Sequence, residues 1–135
     1  MKKLLTIRYS DWAFNVTMLL VRVTFGGLML VNHGFEKMKK FSTLQYKFSD
    51  PFHIGSRWSL LMVIFAEVFC ALLLILGLFS RLAAVPLVIV MAIAFFMAHH
   101  GNFGEGESAA LFLTAFLAVL MVGPGKASID GMIGK

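Results

Sequence analysis

Two stretches decide the fold: WAFNVTMLLVRVTFGGLMLV, residues Trp12–Val31, and WSLLMVIFAEVFCALLLILGL, residues Trp58–Leu78. Each holds about 20 residues, enough at ~1.5 Å of rise per residue to cross a hydrocarbon layer ~30 Å thick. Each also carries one ionisable residue near its centre, Arg22 in the first and Glu67 in the second. A charge at mid-bilayer costs roughly 2.5–3.5 kcal/mol even on the lenient insertion scale, so it needs a partner or a wet cavity. As consecutive antiparallel helices, the two stretches place Arg22 and Glu67 at one depth. An ion pair between them is the first expectation.

Composition agrees with a membrane setting. Of 135 residues, 59% are hydrophobic and 14% charged, where an average soluble domain has about a quarter charged. A chain of this length has too small an interior to hide that much apolar surface, so it reads as a single integral membrane domain, residues 1–135. The formal net charge of +5 sits at helix flanks rather than in one recognition stripe with interleaved aromatics. It suits anionic lipid headgroups and not nucleic acid. One cysteine, Cys70, can close no intrachain disulfide and reads as packing. The start Met1-Lys2-Lys3-Leu4-Leu5 resembles a secretory signal, but Asp11 and Arg22 interrupt the apolar run and no small-x-small cleavage site follows. We read it as the start of a retained helix.

Two more apolar segments follow, from about Leu82 to His99 and from Ser108 to Val122. The fold class is therefore all-α: a four-transmembrane-helix antiparallel bundle, with spans at about 12–31, 58–78, 82–99 and 108–122. Gly26-Gly27 allows close helix approach, Ser56 is placed to cap the second span, and Gly77 marks its end. Only Phe79-Ser80-Arg81 joins the second and third spans, which forces a hairpin. Pro86 is expected in or just beyond the first turn of the third span, where a missing N–H does least damage. Glu105 and Glu107 favour the start of the fourth helix, and Gly123-Pro124-Gly125 stops it. The long segment from about Asn32 to Arg57 is half-polar and reads as a partly helical interfacial loop. Basic residues divide six against five between the two faces, so the positive-inside rule is nearly silent. The lysine-rich first residues favour both termini in the cytoplasm.

Alternating passes gather His33, Glu36, Lys37, His53, His99, His100, Glu105 and Glu107 on one membrane face. Arg22, Gly26 and His33 also fall on one stripe of the first helix, since offsets of four and eleven return to nearly one angle. For Arg22 and Glu67 two readings stand: an ion pair that fixes helix register, or a polar cavity for a small molecule or a proton step. His99-His100 with Glu105 and Glu107 suggests a metal site. Adjacent helical histidines point about 100° apart and do not share one ion, so no metal is expected. Anchoring at the interface, or a histidine hydrogen-bonded to a polar ligand, accounts for them.

Several of these residues recur as an ordered set: Arg22-x-x-x-Gly26, His33-Gly34-x-x-Lys37, Ala66-Glu67, Leu76-Gly77-Leu78-x-x-Arg81-x-Ala83-Ala84, and Gly123-Pro124-Gly125-x-x-Ser128-x-Asp130. In this the chain resembles the DoxX family of small bacterial membrane proteins over nearly its whole length. The resemblance implies a four-helix bundle in the bacterial inner membrane, associated with oxidoreductase systems linked to quinone or to oxidative-stress defence. It carries over Arg22, His33, Lys37, Glu67, Arg81 and Asp130. The segment between Lys37 and Trp58 is longer than in compact relatives, which bears on ligand access from that face.

The leading functional expectation is a membrane subunit or accessory of a redox system. Its ligand site would comprise Arg22, His33, Lys37, Glu67 and His99, would hold a quinone-like molecule, and would work with an oxidoreductase partner. No intrinsic cofactor and no catalytic residue are identified, and no enzymatic activity of its own is claimed. A small-solute or proton transporter, which with four helices would need homo-oligomerisation, is the rival. A structural scaffold is the third reading.

Overall fold

A computed structural model describes residues 4–48, 50–98 and 100–134, and every regular element among them is helical. Three helices are long and apolar enough to cross a membrane: Asp11–Lys39, Ser56–Leu76 and Ser80–Ala98. We call them the first, second and third spans. A shorter apolar helix, Glu107–Val122, follows as the fourth helix, and then a terminal turn of helix, Ile129–Ile133.

The first span is longer than expected. It starts at Ser10, whose hydroxyl accepts from the Ala13 N–H and so satisfies one orphan donor. It then continues past Val31, through residues expected as loop, to Lys39. Two features explain this. Glu36 and Lys40 pair at 3.4 Å one turn apart on the outer face, while Lys37 turns inward. Polarity here marks one face of a helix, not a loop.

The second feature is a π-helical turn, Leu30–Gly34. Such a turn holds one residue more than an α turn and so shifts every later side chain by one position. Arg22 and Gly26 face the second span, but Gly34 continues their stripe in place of His33. The His33 ring is turned onto the fourth helix, where it meets Phe112 edge-on at 5.3 Å.

Those glycines set the register of the first seam. A Cβ on Gly26 would lie 2.8 Å from Ile75 Cγ1 and 3.3 Å from the Ala71 carbonyl oxygen. One on Gly34 would lie 2.7 Å from Val68 Cγ2 and 2.8 Å from the Glu67 carbonyl oxygen. Only hydrogen fits, which is how small residues let helices in lipid approach. Numbers rise along one helix as they fall along the other. Glu67 is thus level with Gly34, while Arg22 is level with the end of the second span. Roughly 18 Å of helical rise separates Arg22 from Gly34, so the ion pair between Arg22 and Glu67 does not form.

The second span begins after Gly55, at φ 107°, and not with a Ser56 cap. Ser56 is its first residue, and its hydroxyl donates to the Phe48 carbonyl at 2.9 Å. A second π turn, Phe65–Cys70, carries Glu67. The span closes as expected at Gly77, left-handed at φ 74°. There Leu78 N–H donates to Leu73 O at 2.9 Å and Gly77 N–H to Leu74 O at 3.1 Å, a paired closure of the last turn.

Pro86 lies inside the third span, well past its first turn. The span ends in a third π turn, Ala94–Ala98. His99 lies outside the described residues. The third span packs along the fourth helix, and Leu74, Ala84, Leu87, Phe116 and Val119 fill the centre. Gly123, at φ 88°, ends the fourth helix.

Candidate functional site

Arg22 is fully buried at 0% exposure, and its acceptors are backbone carbonyls. One guanidinium nitrogen donates to Leu74 O and Ile75 O, both at 3.3 Å, and the other donates to Ala127 O. The last carbonyls of a helix have no partner within it and carry partial negative charge, so a cation there stabilises twice over. The next helix start is treated with the opposite sign. Asp130 accepts from the Phe79 and Ser80 N–H groups, each at 2.9 Å, and its own N–H donates to Gly77 O at 2.8 Å. Its carboxylate also acts by charge on Arg22.

Arg22, Gly77 and Asp130 therefore lock the hairpin between the second and third spans. A Cβ at Gly77 would run into Arg22 and Ser128. Arg81 packs beneath Gly123, with its guanidinium 3.3 Å from where a Cβ would stand there. Gly125 packs against Met18 and Asn15, whose side-chain oxygen accepts from Lys126 N–H at 2.9 Å. Pro124 joins these two glycines in the wall of an open pocket of about 880 Å³ at this end.

Glu67 has a different partner. Lys37 Nζ lies 2.7 Å from Glu67 Oε1, and the side chains are 21% and 3% exposed. Lys37 reaches inward along its apolar stem from the last turns of the first span. Glu67 lies 11 residues into the second span, roughly 16 Å of rise and thus near mid-depth in a ~30 Å layer. No hydrogen bond from a described residue reaches its Oε2.

This pair and His33 border a cavity of about 780 Å³. The rest of the lining is nearly all apolar, including Ala66, Pro86, Met91, Ala94 and Phe112. Size and character suit a small organic ligand: about 300–1,000 Å³, apolar walls, a few convergent polar groups. All three π turns of the described chain contribute to it, through His33, through Phe65, Ala66 and Glu67, and through Ala94 and Ala98. Such turns interrupt the regular hydrogen-bond ladder and concentrate at functional sites. Phe48, Pro51 and Phe52, from the loop between the first and second spans, also line the cavity.

Asp50 organises that loop. It accepts from Ile54 N–H at 3.0 Å, Gly55 N–H at 2.8 Å and the Ser59 hydroxyl at 2.9 Å. Against desolvation, which pushes the other way, these bonds and nearby His53 hold the Asp50 carboxyl below the ordinary carboxylate range.

The residues expected at the site thus divide between two ends. His33, Lys37 and Glu67 come together at the cavity with Gly34 behind them. Arg22 caps a helix at the opposite end, among Gly26, Gly77, Arg81, Gly123 and Asp130. His53 and His100 occupy left-handed turn positions, and among the described residues no group of three or more His, Cys, Asp or Glu is arranged around a metal. Sequence reasoning did not single out Phe112, Met91 or the Asp50 loop.

The DoxX family model matches residues 17–100, which includes His33, Lys37, Glu67 and the cavity-lining parts of the first three spans, but not Phe112 of the fourth helix. No curated protein and no solved structure matches the chain. The match covers well over half of the sequence, and the chain belongs to the DoxX family of membrane proteins.

Proposed function

We propose that this protein is a four-helix antiparallel bundle of the bacterial inner membrane, both termini in the cytoplasm. In this reading it binds a lipid-soluble, quinone-like molecule as the membrane subunit or accessory of an oxidoreductase system. One observation carries the proposal: an apolar cavity within the membrane-spanning helices, bordered by three π turns, with the half-buried Lys37 paired to the buried Glu67 at its polar end. Lys37 has N–H donors beyond the one used on Glu67 and offers them to a ligand carbonyl. Glu67 orients Lys37, and its Oε2 accepts from a ligand hydroxyl. His33 closes the same end. Arg22, buried at the other end, contributes to the helices and not to the ligand. The chain's part is to bind and orient the molecule, while the partner carries the electrons.

The test is binding of a decyl-tailed benzoquinone to protein in lipid nanodiscs. Saturable binding that weakens at least tenfold in Lys37→Met, with the fold retained by circular dichroism, supports the reading. Absence of saturable binding refutes it. Proton or solute flux in proteoliposomes that vanishes in Glu67→Gln would instead establish a transporter.

A further inference from the structure

We infer that the cavity is filled sideways from the bilayer, through a gap between the second and third spans, by a membrane-resident amphiphile and not by a ligand arriving from water. This inference rests on the binding reading above and adds the route and the physical class of the ligand.

The gap follows from where the two helices touch. From Phe65 to Leu76 the second span packs against the third. Its first half, Ser56–Ile64, finds its main neighbours elsewhere, in the helical segments Phe35–Lys39 and Phe41–Leu44. The two spans are thus joined from the Phe79 hinge up to the π turn at Glu67 and part above it. Side chains on both sides of the parting line the cavity and also reach the outer surface. Met62 and Phe65 on the second span are 54% and 53% exposed, and Ile89 on the third is 48% exposed. At this height on a membrane-spanning helix, the outer surface is acyl chain. The opening is apolar throughout, which an alkyl tail crosses at no cost and a solvated polar solute does not.

Toward the aqueous side, Phe48, Pro51 and Phe52 of the loop between the first and second spans line the cavity. Their loop is tied down by three hydrogen bonds to Asp50 and by Ser56 to the Phe48 carbonyl. A tail left in the gap would project into lipid while the head group reaches Lys37 and Glu67. That geometry requires a head and tail on one molecule.

The experiment compares uptake of the radiolabelled decyl-tailed benzoquinone and of its tail-less counterpart by protein in nanodiscs, timed by rapid mixing and filtration with uptake by empty nanodiscs subtracted, a readout that added tryptophans leave untouched. The variants are Met62→Trp and Ile89→Trp, each on one lip of the gap, and Asp50→Asn, which loosens the loop. Both lip positions face lipid, so each variant is expected to fold, and two independent lips guard against one failing. Lateral entry requires at least tenfold slower uptake in either lip variant, a rate within twofold of wild type in Asp50→Asn, and at least tenfold weaker binding of the tail-less probe. Faster uptake in Asp50→Asn with unchanged lip variants overturns this inference and leaves the binding reading intact. No binding of either probe to the wild-type protein removes both.

Discussion

Removing Arg22 and Glu67 singly and together distinguishes the observed register from the ion pair that the sequence suggests. Arg22→Met deprives the Ile75 and Ala127 carbonyls of a charged donor and weakens the second bond to Leu74 O. Each buried carbonyl left without a partner costs about 1–3 kcal/mol. With two orphaned, the expected loss is about 2–6 kcal/mol. Glu67→Gln keeps the shape and can still accept from Lys37, but gives up the charge, for which a loss of about 1–3 kcal/mol is expected. Because the two sites lie at opposite ends of the seam and share no partner, their effects should add to within about 0.5 kcal/mol. Lys37→Met with Glu67→Gln, by contrast, should couple by about 1–3 kcal/mol. Reversible unfolding in mixed micelles, followed by circular dichroism, gives all four energies. Coupling above about 1 kcal/mol between Arg22 and Glu67, with none between Lys37 and Glu67, would refute the register.

Other substitutions probe single features. Gly34→Ala should destabilise by about 1–3 kcal/mol, since its Cβ meets backbone of the second span. Gly27→Ala, which meets nothing within 4 Å, should be neutral or stabilise by up to about 1 kcal/mol, and thermal denaturation in detergent compares the two. Asp130→Ala should cost about 1–2 kcal/mol, because the first N–H groups of the third span lose their acceptors; the same denaturation reads it. The Asp50 carboxyl titrates below its unfolded value, so its contribution to loop order is complete above that unfolded value and lost as pH falls through the folded one. Protection of the Ile54 and Gly55 amides, measured as exchange relative to the intrinsic rate at each pH, should therefore fall in acid, and Asp50→Asn should remove that dependence of protection on pH.

Much of the fold was legible because its signals are local. The apolar lengths of Trp58–Leu78 and Ser108–Val122, the Gly77 stop, the tight hinge after it and the close approach at Gly26 all follow from residue type and spacing. Register was not legible. A π turn at Leu30–Gly34 adds one residue without a compositional mark, and from there the stripe through Arg22 and Gly26 carries Gly34 where His33 was expected. Lys37 and Glu36 made that segment look like loop, although one charge turns inward onto Glu67 and the other is solvated. Arg22 was read as a ligand donor because a mid-span arginine usually seeks charge. Its actual acceptors, carbonyls at the end of another helix, have no signature in sequence. The motif residues do not form one group: one set borders the cavity, and the other locks the hairpin.

Photolabelling with an azido-benzoquinone carrying a decyl tail tests the central claim most directly, because among the described residues a pocket lies at each end of the helices. The account expects label on peptides spanning Trp58–Glu67 and Pro86–Ala98, with protection by unlabelled quinone and loss of label in Lys37→Met. Protectable label on Phe79–Leu82 and Val122–Lys126, at the Arg22 end, would contradict it.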